Sequence, residues 1–182
     1  MKKRLYLIYK QLYDCFGPQH WWPADTPLEV MLGAVLTQNT SWANVEKAIK
    51  NLKQKRLWRL ERLYGLSHKR LSLLIRPAGY YNLKAKRLKN FLAFLIASYR
   101  GDLKEMRRKR TGNLRRQLLA VNGIGPETAD SILLYALEKP VFVVDAYTKR
   151  IFLRHGFIKP DADYQELQGI FMRNLKKQVK LF

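Results

Sequence analysis

The 182-residue chain is expected to be all-α, on three observations. Apolar residues recur at helical spacing in almost every segment, and helix start and stop signals punctuate them. Only "VFVV" at 141–144 reads as a strand, and one isolated apolar tetrapeptide cannot make a sheet. It is expected to be an extended, buried connector.

The elements follow in order. Leu5, Ile8, Leu12 and Phe16 form a first apolar stripe, ended by Gly17-Pro18. Cys15 lies within that pattern and is expected to be a small core residue. Thr26-Pro27 reads as a cap and first-turn proline for a helix through Leu28, Met31, Leu32 and Val35. A third helix is expected over about 41–53 and a short one over 57–64. Ser67 can cap another through Leu71, Leu74 and Ile75. Arg76-Pro77 stops it, because the residue before a proline is steered away from helical backbone. "NLKAKRLKNFLAFLIASY" is a long amphipathic helix ending near Gly101. Helices over 111–120 and 126–137 flank the stretch "NGIG", and two more over 145–155 and about 163–177 complete the set. Prolines mark boundaries near 27 and near 140.

Lys and Arg number 35 against 14 acids, a net charge of +21 with pI near 10.3. Such an excess calls for a polyanionic partner, a nucleic acid or an acidic membrane surface, and a structural RNA binder would share it. An apolar share of 47% excludes a disordered tail. No run reaches the roughly 18 apolar residues of a membrane span. The basic opening "MKKRLYLIYKQLYDCF" is broken by Lys10, Gln11 and Asp14 and lacks a small-residue cleavage site. A cytoplasmic protein without a membrane partner is expected. The single cysteine excludes an internal disulfide and any all-cysteine metal cluster within the chain.

The stretch "VNGIGPETAD" (121–130) carries the first chemical signal. Gly123 and Gly125 can both adopt positive φ and admit a phosphate close to the backbone. Pro126 suits a first helical position, and the N–H groups of Gly125, Glu127 and Thr128 would then face an anion. The same Gly-x-Gly also fits an ordinary turn between helices. Two features favour the anion. Arg107, Arg108, Lys109, Arg110, Arg115, Arg116, Lys139 and Lys149 crowd around the hairpin in sequence. Asp145 follows the apolar tetrapeptide and precedes a helical pattern. It can be an N-cap. It can also be the carboxylate that glycosidic chemistry needs, stabilising a sugar cation and orienting water.

"LLAVNGIGPETADSILLYALEKPVFVVDAYTKRI" resembles the helix-hairpin-helix and catalytic-aspartate segment of the endonuclease III superfamily of DNA glycosylases. "GAVLTQNTSWANVEKAI" and "IRPAGYYNLKAKRL" are similar to that family's second and third motifs, in its order and spacing across most of residues 28–156. The resemblance implies an all-helical, two-lobed fold with a central bundle over 28–139 and a second lobe from 1–27 plus 140–182. It implies excision of a damaged base from double-stranded DNA by nucleotide flipping, by a protein expected to act as a monomer. By position, Asp145 becomes the catalytic carboxylate, and Gly123, Ile124 and Gly125 the phosphate-binding hairpin, whose carbonyls in the family also hold a monovalent cation. Gln38, with Asn39 beside it in "TQNT", matches a residue that enters the gap left by the flipped base.

Two departures stand out. Many members carry a four-cysteine iron–sulfur cluster after the last helix, for which this chain has no cysteines, and relatives usually continue past "MRNLKKQVKLF". A shorter second lobe or a truncated chain is therefore expected. Glu127 is the other. Members that also cut the DNA backbone have a lysine there, whose amine attacks C1′, and a carboxylate cannot do so. A glycosylase without lyase chemistry is expected, unless Lys149, one turn past Asp145, reaches C1′. For the pocket, Trp21, Trp22, Pro23 and Trp42 are candidates. "WWP" followed by "LTQNT" resembles the 3-methyladenine glycosylase branch, and electron-rich indoles suit a cationic alkylated purine. The same tryptophans also fit core packing. Glycosylases for oxidised, deaminated or mismatched bases, and a non-catalytic DNA binder using the hairpin alone, are the alternatives.

Overall fold

The computed structural model describes residues 1–19 and 22–182; His20 and Trp21 lie outside the described residues. Among these, every regular element is a helix. The order is α1 (Lys2–Phe16), α2 (Pro27–Leu36), α3 (Trp42–Gln54), α4 (Leu60–Gly65), α5 (His68–Leu74), α6 (Tyr81–Tyr99), α7 (Leu103–Arg108), α8 (Thr111–Leu119), α9 (Pro126–Ser131), α10 (Ala146–Arg154) and α11 (Tyr164–Asn174). A π turn, Ile132–Ala136, continues α9, and short 3₁₀ turns occur at Arg76–Ala78 and Val179–Leu181.

Caps set several of these ends. Thr26 accepts the Glu29 N–H at 3.2 Å and Ser67 the Arg70 N–H at 3.3 Å, each satisfying a first-turn donor. Helix α2 is apolar almost all round, and everything from Glu29 to Leu36 is buried. It packs against α3, α6, α9 and the π turn at the centre of the larger core. That core runs from Val30 to Val141. A separate smaller cluster joins Leu5 and Val144 to Phe152, Leu167 and Phe171. The connector between the π turn and α10 has no regular structure and is at least half-buried over 141–144, with Val141 in one core and Val144 in the other.

Several expectations need correcting. Cys15 is exposed, and along α1 Leu5 is buried while Leu12 and Phe16 are more than half exposed. The stripe is longer than the surface α11 offers it. The short helix expected from 57 begins at Leu60, and α11 ends at Asn174, three residues before the expected 177. Helix α7 is an element beyond those expected, and Asp102 caps it by accepting the Lys104 and Glu105 N–H groups at 2.8 and 3.0 Å. The expected helix 126–137 loses its α register after Ser131. Its last turn closes with the Leu137 N–H on the Ile132 carbonyl at 3.1 Å, five residues back.

Candidate functional site: the hairpin, the aromatic row and Asp145

The hairpin is anchored from inside. Ile124 is buried and points into the larger core, so the backbone of the turn, not its side chain, meets solvent. Gly123 has φ +99°, and a Cβ there would lie 2.3 Å from Cγ of Arg87. Gly125 corrects the expectation. Its φ of −88° with ψ 177° is extended backbone open to any residue, and a Cβ would meet nothing within 4 Å. The fold does not require glycine at 125, and the space in front of it is open. Pro126 occupies the first position of α9, and no side chain caps that helix.

Gln38 is not pointing outward. Its amide donates to the Gly123 carbonyl at 2.9 Å and the Thr128 hydroxyl at 3.0 Å, while its oxygen accepts from the Arg87 guanidinium. It therefore ties the loop after α2 to the hairpin. Thr128 is buried, and its hydroxyl is turned toward Gln38 and away from solvent. Asn39 is exposed, with a left-handed φ of 53°. Asn90 of α6 donates to the Asn122 carbonyl at 3.1 Å, bracing the turn from its other side.

Asp145 caps α10. Its Oδ1 accepts both the N–H and the hydroxyl of Thr148 at 2.7 Å, which leaves Oδ2 outside these bonds. Two neighbours feel its charge. The protein around the Glu127 carboxyl raises its pKa above the ordinary value, and Asp145 adds repulsion. Burial, and then the same Asp145 charge, push the Tyr135 hydroxyl up to about 12, so it stays a proton donor. Glu127 and Tyr135 thus both lie within range of the Asp145 charge. Tyr135, on the π turn, was missed by sequence reasoning, because nothing in "SILLYALE" distinguishes it from a core position.

The aromatic residues form a row. Trp42 meets Trp22 edge to face at 5.7 Å, and Trp22 lies against Tyr135 at 5.2 Å. Gly33 makes room, since a Cβ there would touch both indoles at 3.4 Å. The Trp22 indole N–H is buried with no protein partner. Packing and pocket are therefore not exclusive here: the indoles lean on the core from its surface. Pro23 is exposed, and Trp21 lies outside the described residues. Lys149 is exposed on α10, its backbone N–H bonded to the Asp145 carbonyl at 3.1 Å. A second residue that the reading passed over is Tyr80, which stands 70% exposed on left-handed backbone (φ 44°) at the head of α6. A ring held out in this way can stack on a base.

Comparison with known proteins identifies the family. The family described as "HhH-GPD superfamily base excision DNA repair protein" matches residues 32–177. A Methanocaldococcus jannaschii protein provisionally named a DNA repair glycosylase is 53% identical over 180 residues, covering 98% of this chain and 81% of that protein. Endonuclease III of Thermotoga maritima is 31% identical over 82% of this chain and 67% of its own length. The crystal structure of the H. pylori 3-methyladenine DNA glycosylase bound to 1,N6-ethenoadenine superposes with a TM-score of 0.82 at 35% identity, covering 93% of this chain and 81% of that one. The hairpin, the aspartate after it and these likenesses together make the chain a DNA repair glycosylase of the HhH-GPD superfamily.

Proposed function

We propose that this glycosylase excises alkylated purines from duplex DNA by hydrolysis alone, without cutting the backbone. The observation that carries the proposal is the row Trp42–Trp22–Tyr135, whose last ring lies within range of the Asp145 charge, with a carboxylate, Glu127, where lyase chemistry would need an amine. An N3- or N7-alkylated purine is already a good leaving group and asks for little acid catalysis. Stacked electron-rich rings suit its positive charge. The H. pylori neighbour, a 3-methyladenine glycosylase holding 1,N6-ethenoadenine, supports the same substrate class.

The roles follow. The backbone N–H groups of Gly125, Glu127 and Thr128 bind a DNA phosphate, and the hairpin carbonyls are available to a monovalent cation. The Asp145 carboxylate, fixed by Thr148, stabilises the sugar cation that develops as the base departs and orients the incoming water. The iron–sulfur cluster of relatives does not fit these residues, because Cys15, the one cysteine, lies exposed on α1.

A panel of duplexes carrying single alkylated, oxidised, deaminated or mismatched bases tests the reading. Wild type should release alkylated purine and leave an intact abasic site that breaks only with alkali or heat. Borohydride should trap no covalent adduct. Asp145→Asn should keep DNA affinity and lose at least a hundredfold in base release, because an amide carries no charge to stabilise the cation. Release of oxidised bases in preference would move the substrate class. An adduct that vanishes in Lys149→Ala would assign lyase chemistry to that exposed amine.

A further inference from the structure

Asp130 is a fully buried acid to which the roles above give no part. It is the fifth residue of α9, the helix headed by the hairpin. Its carboxylate accepts four hydrogen bonds: from Nε and Nη2 of Arg115 at 2.7 and 2.9 Å, from the Tyr164 hydroxyl at 2.8 Å and from the Gln168 amide at 2.7 Å. Those two α11 side chains also hold the connector. Gln168 donates to the Phe142 carbonyl at 2.7 Å, and the Tyr164 hydroxyl accepts the Val144 N–H at 3.4 Å. Asp145 is the next residue.

The arrangement crosses the gap between the two cores, since α9 belongs to the larger and Val144 to the smaller. Apolar packing that slides by a fraction of a turn costs little, whereas four directional bonds on one carboxylate admit a single register. A buried ion pair is a poor source of stability compared with a hydrophobic replacement, so fixing a register is the better account of one retained here.

We propose that Asp130 is a positioning residue. Through Tyr164 and Gln168 it sets where the connector presents Asp145 relative to the phosphate-binding hairpin at the head of Asp130's own helix. The proposal rests on the reading of Asp145 as the catalytic carboxylate. It assigns to one buried acid the coupling between holding DNA and breaking the glycosidic bond.

Tyr164→Phe is the informative variant. It keeps the ring and the Arg115–Asp130 pair but removes the hydroxyl between Asp130 and the Val144 N–H. Three measurements are made on the full chain. They are single-turnover release of methylated purine from alkylated duplex DNA, the Kd for a duplex with a tetrahydrofuran abasic analogue, and amide hydrogen exchange at Val144. The release rate at saturating enzyme should fall at least tenfold, Kd should stay within twofold, and Val144 exchange should rise at least tenfold while α8 and α9 stay protected. Gln168→Leu should act in the same direction, and Asp130→Asn more strongly. An unchanged rate, a loss of binding parallel to the loss of rate, or unchanged Val144 exchange each overturns the proposal. A wild type that releases no base at all defeats the glycosidic reading instead, and Val144 exchange then judges the brace alone.

Discussion

A side chain at Gly123 would collide with Arg87, whereas one at Gly125 would project into open space. The two glycines of one hairpin should therefore fail in different assays. Gly123→Ala combines a left-handed φ with a clash against the Arg87 side chain and should lower unfolding free energy by about 1–3 kcal/mol. Gly125→Ala should leave stability within about 1 kcal/mol of wild type. It should nevertheless weaken duplex binding at least tenfold, equally on every sequence, because its methyl group occupies the space a phosphate oxygen would take. Urea denaturation and titration of undamaged duplex separate the cases, and a Gly125→Ala variant that binds normally removes the hairpin from the DNA interface. Trp42 supplies a matching test for the base. Stacking on an aromatic ring is worth about 1–3 kcal/mol per base, so Trp42→Ala should cut excision of alkylated purine by roughly tenfold or more while sparing undamaged-duplex affinity. If stability and activity fall together in that variant, the indole is only packing.

Lys84 of α6 is buried, and its ammonium donates to the Leu36 carbonyl at 2.8 Å and the Ala78 carbonyl at 2.7 Å. One side chain thus closes the C-terminus of α2, where the Gln38 loop begins, and the turn that leads to Tyr80. Burial, with Arg87 nearby, lowers its pKa from 10.5 to about 8. Between these values the unfolded chain binds more protons than the folded one, so the Lys84 contribution to stability rises with pH from about 8 to 10.5 and is constant below. Lys84→Met leaves two buried carbonyls unpaired and removes that titration. The stability gap between wild type and variant, from urea melts at pH 7, 8, 9 and 10, should widen with pH; a constant gap would show that the folded pKa is not lowered. None of this was legible in the sequence, where Lys84 reads as one charge on an amphipathic helix. What was legible rests on local physics: caps such as Thr26 and Ser67, the buried α2, the hairpin between two helices and the aspartate after the connector. What was not depends on contacts between segments far apart. The Gln38–Gly123 tie, Tyr135 packed on Trp22 and the four bonds on Asp130 are of this kind, and so is the exposure of Cys15, decided by how little of α1 another helix covers.

At the scale of the whole molecule, charge and not shape decides how the protein finds DNA. If each of the 14 acids paired with a cation, 35 − 14 = 21 basic side chains would remain. Some acids are in fact turned inward: Asp130 and Glu29 are buried and spend their charge on Arg115 and Lys53. The outer surface is therefore dominated by Lys and Arg, and its field extends over about a Debye length, roughly 8 Å at physiological salt. Each phosphate neutralised on binding releases condensed counterions, at about 0.9 of a monovalent ion per contact. A protein making about 6–10 such contacts loses roughly 10³–10⁵ in affinity between about 50 and 200 mM salt. Undamaged duplex should follow that law here, with a log–log slope steeper than about −5. The Asp145→Asn and Trp42→Ala variants should run parallel to wild type, since neither removes a phosphate contact. Gly125→Ala should sit lower with nearly the same slope, because it blocks a neutral backbone donor and removes no cation. A slope near zero for wild type would mean that the excess charge serves another partner and that the hairpin alone holds the DNA.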